Sequence, residues 1–341
     1  MSRVLITGAS GTIGAHLAKK LLADGKEVIS IRHDEAPFDT ASILGIRDKI
    51  TWCRGSILDE RFVKRVVADY SVESIFHLAA LPLVQVATRT TVPIFETNFM
   101  GAIHILEAIK ENAWAGKNIR LIYYATDKVY GDAGEKPYTE EMALNGLAIY
   151  DSSKACADLV VRTYAAAGFI PSAVVIRPCN VIAPGDLNLG RVLPRLILPW
   201  MRREAPTLYR TSYLREFIAV KDLIWATLML DQYLASDSYK GTVHGQAFNV
   251  GSSEQRSIDD VVTAVAQHFP NRLSVKWIQP PAISRVEIPF QLLNTSKLRS
   301  IIDWKPQTFS ETIEDLVMWW KTNWHELPES IRNRTITDWH G

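Results

Sequence analysis

Three glycines near the start of the chain, Gly8, Gly11 and Gly14, constrain the fold more than any other feature of the sequence. They follow a short apolar run, residues 4–7, which is typical of a buried strand. From Thr12 onward, apolar residues recur at four-residue spacing, and this pattern predicts a helix. The glycines therefore lie in a turn between the first strand and the first helix.

A helix that begins directly after a strand directs unpaired backbone N–H groups and a partial positive charge at one point. Glycine leaves this point open to a pyrophosphate, because no side chain blocks the approach. A tight turn without any ligand can use the same glycines, but the strand–turn–helix context favours a dinucleotide site. The predicted site comprises Gly8, Gly11, Thr12, Ile13 and Gly14.

Strand and helix patterns continue to alternate through the first half of the chain. Strands are predicted at residues 28–31, 74–78, 119–125 and 172–176, and helices at residues 94–112 and 150–167. Repeated strand–helix units indicate an α/β fold with a Rossmann-type, doubly wound parallel sheet. After residue 177 the alternation ends among prolines and glycines, which predicts a smaller C-terminal lobe. We assign residues 1–178 to the Rossmann domain, to which residues 220–250 return, and residues 179–219 and 251–341 to the lobe.

Charge and cysteine content exclude several classes of protein. The 38 basic and 37 acidic residues give a net charge of +1, so neither nucleic acid nor a membrane surface is an expected partner. The three cysteines, Cys53, Cys156 and Cys179, form no C-x-x-C pair and are expected to be reduced in a cytoplasmic protein. We expect no metal site, signal peptide or membrane span, because the sequence has no ligand cluster, charged leader or long apolar run.

The residues after the second strand bear on the choice of dinucleotide. An acidic residue there binds the ribose hydroxyls of NAD, and a basic one accepts the 2′-phosphate of NADP. Arg32 and His33 come first, and Asp34 follows within reach of a ribose. This order favours NADP over NAD, although Arg32 could also be a solvated loop cation.

Tyr150 and Lys154 form a Y-x-x-x-K pattern at the start of a predicted helix. A spacing of four places both side chains on one helix face. The lysine charge can lower the phenol pKa, and the lysine can bind a cofactor ribose. A phenol activated in this way can remove a hydroxyl proton while hydride leaves the same carbon.

Together these motifs resemble the extended short-chain dehydrogenases/reductases, the NAD-dependent epimerase/dehydratase family. Besides the glycine turn and the tyrosine–lysine pair, the matching residues are His77, Leu78, Ala79, Ala80, Asn98 and the stretch 177–180. The resemblance implies that Leu78, Ala79, Ala80 and Asn98 contact an NAD(P) cofactor, as Tyr150 and Lys154 do. It also implies a C-terminal substrate-binding lobe, and a homodimer through the helices at residues 94–112 and 150–167.

The sequence Thr126-Asp127-Lys128 is similar to a motif of the nucleotide-sugar 4,6-dehydratases, particularly the CDP-glucose 4,6-dehydratases. In this interpretation Tyr150 removes the 4-hydroxyl proton as C4 is oxidised, and a neutral Lys128 removes the C5 proton. A protonated Asp127 donates to the departing 6-hydroxyl, and hydride returns to C6 to give a 4-keto-6-deoxy sugar. The Asp–Lys pair could instead be a surface ion pair at a strand end.

The resemblance also assigns residues to the nucleotide-diphosphate sugar. Arg215 matches the substrate-lobe arginine of the family, and Asn180 and Arg285 are further candidates. Two alternatives to the dehydratase stay open: a 4-epimerase acting on the same kind of sugar, and a dinucleotide-binding regulator without turnover. The intact set of Thr126, Tyr150 and Lys154 argues against a regulator, because a sensor needs no activated phenol.

Overall fold

A computed structural model describes residues 2–34, 39–81, 91–280 and 287–335. Seven parallel strands form its main sheet, in the spatial order β3-β2-β1-β4-β5-β6-β10. The strands are β1 (Arg3–Thr7), β2 (Glu27–Arg32), β3 (Thr51–Arg54), β4 (Ser74–His77), β5 (Arg120–Tyr124), β6 (Ser172–Pro178) and β10 (Ala247–Val250). This arrangement confirms the predicted α/β class, the Rossmann-type doubly wound sheet.

The helices between these strands cover the sheet. They are α1 (Thr12–Ala23), α2 (Thr40–Ile43), α3 (Glu60–Asp69), α4 (Val92–Phe95), α5 (Gly101–Trp114), α6 (Ile149–Ala166), α8 (Val220–Ala235) and α9 (Lys240–Val243). All residues of β4 and β6 are buried, as expected for parallel strands that are covered on both faces. The larger of two hydrophobic clusters is built around this sheet.

The helix predicted at residues 94–112 differs from a regular α-helix. A π-helical segment, Glu96–Met100, lies between α4 and α5. A π-turn inserts one extra residue into the helical path, and such insertions are frequent at functional sites. Asn98 is the only residue of the segment that is fully buried.

The C-terminal half adds two small sheets and a second core. β7 (Asn180–Ile182), β9 (Arg215–Ala219) and β11 (Gln255–Arg256) form one sheet, and β8 (Thr207–Tyr209) pairs with β12 (Lys276–Ile278) in the other. The helices here are α7 (Val192–Met201), α10 (Ile258–Ala266), α11 (Ser296–Arg299), α12 (Phe309–Asn323) and α13 (Glu329–Arg332). The second hydrophobic cluster contains residues of α7, α10 and α12, and Trp320 and Trp324 are buried within it.

The strand order positions the ligand site. β1 and β4 are neighbours, but their following helices lead to opposite sides of the sheet, so a crevice opens at the carboxyl ends of these two strands. Thr7 and His77, the last residues of the two strands, face each other in the ladder. No helix in the described ranges is long and apolar enough to cross a membrane. The assignment of residue ranges to a domain and a lobe stays a prediction.

Candidate functional site at the carboxyl ends of the strands

The three glycines of the first turn have three different physical roles. Gly8 has a φ of +81°, a conformation that L side chains rarely adopt. Gly14 lies against the turn itself, since a Cβ there would be 2.2 Å from the Gly8 carbonyl oxygen. Gly11 is exposed at the N-cap of α1, where a Cβ would meet only the same oxygen, at 3.3 Å.

A cleft of about 280 Å³ opens in front of this helix N-terminus. Its lining residues come from the turn, the end of β2, the start of α2, the segment after β7 and the segment after α13: Ser10, Gly11, Thr12, Arg32, Asp34, Asp39, Thr40, Asp186, Leu187, Asn188 and Arg334. Ile13 is half-buried and packs on the core. Because Gly11 leaves the end of α1 open to this cleft, the residues fit the pyrophosphate of a dinucleotide.

Arg32, at the end of β2, lies in the cleft wall but is held by protein groups. Its Nε donates to the Asp34 carbonyl oxygen at 2.6 Å, and its guanidinium lies 3.5 Å from the Asp39 carboxylate. It also lies 5.2 Å from the centre of the Trp52 ring. His33 and Asp34 are exposed and form a pair 3.7 Å apart. Arg32 is therefore not the solvated loop cation that the sequence allowed.

The segment after β4 is fastened to the end of β1. The Thr7 hydroxyl accepts hydrogen bonds from the Leu78 and Ala79 N–H groups, both at 3.1 Å. It also contacts His77 Nδ1 at 2.7 Å. A Cβ at Gly8 would lie 3.1 Å from Ala79 N, so Leu78 and Ala79 border the glycine turn, and the half-buried Ala80 follows them.

Asn98 links this segment to α6. Its Oδ1 accepts from Leu81 N at 2.8 Å, and its Nδ2 donates to Ser153 Oγ at 2.9 Å. These bonds place the backbone that follows Ala80 relative to the helix that carries Tyr150 and Lys154. They indicate that Asn98 positions the surrounding segments, whatever it contacts in a ligand.

Tyr150 and Lys154 lie in the first two turns of α6. Lys154 Nζ donates to the Tyr124 carbonyl oxygen at 2.5 Å and lies 4.4 Å from the centre of the Tyr123 ring. Burial lowers the pKa of Lys154 to about 7. Burial also raises the pKa of Tyr150, helped by the nearby Asp151 carboxylate. This direction is opposite to the lowering by Lys154 that we expected from sequence: desolvation has the largest effect, and the one cation that lowers the Tyr150 pKa among the described residues is Arg191.

Thr126, Asp127 and Lys128 follow β5 directly, and Asp127 begins a 3₁₀ turn, Asp127–Tyr130, that packs against α6. Thr126 caps this turn, and its hydroxyl donates to Asp127 Oδ1 at 3.1 Å. Asp127 is buried, and burial raises the pKa of its carboxyl against the lowering effect of Lys128. Burial therefore favours the neutral form of Asp127, and the carboxyl is not part of a surface ion pair.

Lys128 and Arg215 converge on one carboxylate that the sequence analysis missed. Lys128 Nζ lies 3.9 Å from Glu287 Oε1, and Arg215 Nη2 donates to the same oxygen at 2.7 Å. Arg215 also donates to the carbonyl oxygens of Leu214 and Pro289. Glu287 lies about 160 residues from Lys128 along the chain, so no local pattern could have revealed the contact.

Two further side chains near Asp127 were also missed. Gln291, which is fully buried, donates from Nε2 to Asp127 Oδ2 at 3.1 Å. Asp151 directly follows Tyr150 and is buried, and its Oδ1 has no hydrogen-bond partner within the described ranges. Burial raises the pKa of Asp151 to about 7, although Lys128 acts to lower it. The only signal for Asp151 in the sequence was its place inside the Y-x-x-x-K pattern.

The remaining substrate candidates are distributed as follows. Asn180 Nδ2 donates to the Glu216 carbonyl oxygen at 3.0 Å, so this amide joins β7 to β9. Arg285 lies outside the described residues. Across the part of the chain that the structure describes, no three His, Cys, Asp or Glu side chains are grouped so that they could hold a metal ion.

Comparison with known proteins relates the whole chain to enzymes of sugar nucleotides. A family model described as GDP-mannose 4,6 dehydratase matches residues 5–316. A CDP-glucose 4,6-dehydratase of Salmonella typhimurium is 24% identical over 330 residues, which cover 94% of this chain and 90% of that protein. A UDP-glucose 4-epimerase of Neisseria gonorrhoeae is 27% identical over 299 residues, covering 79% and 85%.

Solved structures show the same fold. A dTDP-glucose 4,6-dehydratase from Bacillus anthracis, in complex with NAD, superposes with a TM-score of 0.81 at 21% identity. The match covers 97% of this chain and 100% of that one. The likeness extends over both hydrophobic clusters, and at this identity it concerns the fold alone.

Proposed function

Since this chain belongs to the NAD-dependent epimerase/dehydratase family of extended short-chain dehydrogenases/reductases, we propose that it is a nucleotide-sugar 4,6-dehydratase. The substrate is an NDP-hexose and the product an NDP-4-keto-6-deoxy-hexose. The observation that carries the proposal is the placement of Lys128 and of the buried Asp127, whose pKa burial raises, beside the helix of Tyr150. An acid and a base at this place serve the elimination of water, which an epimerase does not perform.

Each proton transfer of the proposed reaction is assigned to a different side chain. A bound nicotinamide dinucleotide supplies the hydride acceptor for C4 of the sugar and the hydride that C6 receives. Tyr150 takes the proton of the 4-hydroxyl as the C4 ketone forms. A neutral Lys128 then removes the C5 proton, which the ketone has made acidic, and a protonated Asp127 gives its proton to the 6-hydroxyl so that water leaves.

Lys154 and Thr126 support these groups. Lys154 is fixed by the Tyr124 carbonyl oxygen and lies one helical turn from Tyr150, where it can bind a cofactor ribose. Thr126 holds Asp127 Oδ1 and caps the turn that carries Lys128. The raised pKa of Tyr150 means that its phenol is neutral before it meets a sugar and has to be activated in the complex.

The second candidate function is that of a 4-epimerase, favoured by the 27% identity to a UDP-glucose 4-epimerase. Both reactions begin with Tyr150 and hydride loss from C4, so reduction of the cofactor does not distinguish them. Only the dehydratase breaks the C5–H and C6–O bonds.

The product formed in deuterated water therefore tests the proposal. We would incubate the protein with a panel of nucleotide sugars and analyse products by mass and NMR. A dehydratase gives loss of water, deuterium at C5 and a C6 methyl that carries the former C4 hydride. Lys128→Ala should stop deuterium uptake at C5 and still permit C4 oxidation. A product with inverted C4, an intact 6-hydroxyl and no deuterium at C5 would establish the epimerase instead.

We propose NAD(P) as the cofactor, with NADP favoured because Arg32 lies in the cleft wall beside Gly11. Asp39, 3.5 Å from the guanidinium, partly offsets this charge and would have to tolerate a 2′-phosphate nearby. If Arg32 binds that phosphate, Arg32→Ala should weaken NADP about ten- to hundredfold, the usual loss for a charge-assisted contact. NAD binding should stay nearly unchanged, as measured by titration calorimetry. Equal weakening of both dinucleotides would assign selectivity to Asp34 or to the backbone.

Arg215 and Asn180 are proposed to contact the sugar nucleotide, with Arg285 as a further diphosphate ligand. Arg215 supports this role through its position beside Lys128, where both side chains contact Glu287. Arg215 binds a planar carboxylate in the structure, and the same donors match a diphosphate oxygen.

We also propose that the protein is a cytoplasmic homodimer. Its three cysteines are free, which suits a reducing compartment. Met100, at the end of the π-helical segment before α5, is 38% exposed, and Leu159, on α6, is 50% exposed. A partner's copies of α5 and α6 would cover both side chains in a four-helix interface.

A further inference from the structure

The side chain of Gln291 links Asp127, the candidate acid after β5, to the C-terminal part of the chain. Its side chain is fully buried, and its Nε2 donates to Asp127 Oδ2 at 3.1 Å. Its Oε1 is also buried and has no hydrogen-bond partner among the described residues. A buried amide with only half of its hydrogen-bonding capacity used is costly, unless the other half is needed at some stage.

The backbone of Gln291 is held firmly. Its N–H donates to the Leu214 carbonyl oxygen at 3.3 Å, and its own carbonyl accepts from Gln255 Nε2 at 3.0 Å. Tyr138 binds the residues before and after Gln291: its hydroxyl donates to the Phe290 carbonyl, and its N–H donates to the Leu292 carbonyl. The side-chain amide therefore has a fixed base, and its remaining freedom is rotation about its own terminal bonds.

The two protonation states of Asp127 need opposite hydrogen bonds. An ionised carboxylate accepts at both oxygens, and the contacts from the Thr126 hydroxyl and Gln291 Nε2 suit that form. A neutral carboxyl carries a proton that needs an acceptor, and Nε2 cannot be one. Half a turn of the amide places Oε1 where Nε2 was, at little steric cost, because the two ends have nearly the same shape.

We propose that Gln291 is a positioning residue that serves Asp127 in both of its protonation states, by donating to the carboxylate and accepting from the carboxylic acid. This inference rests on the proposed function, in which Asp127 passes its proton to the departing 6-hydroxyl. In the neutral state the bond to Oε1 holds the carboxyl and its proton in place. When the proton leaves, the amide turns and donates to the new negative charge.

The titratable groups that interact with Asp127 in the described part of the chain are Lys128, Tyr138, Tyr150 and Asp151 on α6, Cys179, and Arg215 and Glu216 on β9. Lys128 and Arg215 lower the pKa of Asp127, whereas burial raises it and has the larger effect. Gln291 is uncharged, so it can form a hydrogen bond with Asp127 without changing the net charge around this carboxyl.

The test compares the two halves of the reaction in Gln291→Met, which keeps the length of the side chain and removes both amide functions. With a nucleotide sugar under single-turnover conditions, C4 oxidation should proceed within about twofold of the wild-type rate. Loss of water should slow about ten- to hundredfold, the range expected when a hydrogen bond to a charged group is lost. KM should change little, because the Gln291 side chain is fully buried.

The pH dependence supplies a readout that a structural role would not move. Dehydration requires the neutral Asp127, so its rate falls as pH rises through the pKa of that carboxyl. Gln291→Met removes the hydrogen bond to the ionised Asp127, which is stronger than the bond to the neutral carboxyl. The loss raises the pKa of Asp127, so the dehydration rate should fall at a higher pH. Gln291→Glu offers a donor and an acceptor while it is neutral, so it should restore dehydration at low pH and lose it as the new carboxyl ionises.

Two controls complete the design. Gln255→Met removes the bond to the Gln291 carbonyl oxygen and leaves the contact with Asp127, so both half-reactions should stay near wild type. Asp127→Asn is the reference: if it leaves dehydration intact, the proposed function itself fails. If Asp127→Asn blocks dehydration but Gln291→Met leaves its rate and pH profile unchanged, or slows both half-reactions equally, only the inference about Gln291 is overturned. Should Gln291→Met not fold, the pH-dependent rescue by Gln291→Glu decides.

Discussion

At the scale of single residues, desolvation acts on the ionisable groups of the site in one sense: it favours their neutral forms. Burial raises the pKa of Tyr150 and of Asp127, and it lowers the pKa of Lys154 to about 7. Proton transfer costs least when the pKa of a group lies near the working pH, and burial moves Lys154 toward that range. Burial moves Tyr150 away from it, so the phenol has to be activated in the complex with cofactor and substrate.

Tyr150→Phe tests the role of the phenol directly. The substitution keeps the ring and removes the oxygen that takes the 4-hydroxyl proton, so turnover should fall at least about a hundredfold, the usual scale for a general base. Dinucleotide binding, measured by calorimetry, should survive because the ring still fills its place. Near-normal turnover of this variant would contradict the assignment of Tyr150.

The raised pKa of Asp151 predicts that the stability of the folded protein depends on pH. Burial raises its pKa to about 7 from 3.8, so between pH 4 and pH 7 the folded chain holds a proton that the unfolded chain releases. This contribution to stability therefore declines as pH rises through that range, by about 1.4 kcal/mol per pH unit for one proton. Asp151→Asn has no such proton to lose. The unfolding free energy of this variant should therefore increase relative to that of the wild type, by the same amount per unit, as pH rises.

Urea unfolding at pH 5 and at pH 7.5 measures the difference. Asp303→Asn, which removes a carboxyl from an exposed position, provides the matched control and should run parallel to the wild type. A constant difference between Asp151→Asn and the wild type across this range would mean that Asp151 is ionised in the folded protein throughout.

At the scale of elements, the sequence was most informative where a local pattern decides the structure. The apolar run and the four-residue repeat located β1 and α1 to within one residue, because one buried face and one glycine turn suffice to specify them. α7 was not predicted: Pro194 and Pro199 belong to the prolines and glycines among which the alternation ends, yet the helix includes both. Pro194 lies in its first turn, where a missing N–H costs nothing.

The partners of Asp127 and Lys128 could not be predicted in the same way. Gln291 and Glu287 come from a segment far along the chain, and only the tertiary fold brings them to β5. Neither has a periodicity or a spacing relative to the residue that it contacts. The sequence therefore identified the acid and base candidates but not the groups that hold them.

Gly14→Ala tests the close packing between the glycine turn and α1. Its Cβ would lie 2.2 Å from the Gly8 carbonyl oxygen, so the turn has to shift. We expect a loss of about 1–3 kcal/mol in unfolding free energy, typical of overpacking, together with weaker dinucleotide binding. Gly241→Ala is the control, since a Cβ there meets nothing within 4 Å, and it should be neutral or slightly stabilising. Equal effects of the two substitutions would contradict the packing role.

At the scale of the whole molecule, the proposed dimer makes a specific claim about Leu159. Leu159→Asp places a charge where α6 would be buried against a partner, so the protein should become monomeric in sedimentation or light-scattering measurements. Leu273→Asp is the matched control, because Leu273 is 51% exposed and Leu159 is 50% exposed, but Leu273 lies beside α10. Dimers that persist in Leu159→Asp, or that dissociate equally in both variants, would remove α6 from the interface.

The return of β10 to the main sheet has a consequence for how the protein is made. β6 pairs with β10, yet the ribosome synthesises residues 179–246 between these two strands. At roughly 5–20 residues per second, the nascent chain carries β6 as an open edge for several seconds. An unpaired edge of a hydrophobic sheet is a template for association with other chains. We therefore expect the interval before residue 250 emerges to be the stage of synthesis at which this protein depends most on chaperones.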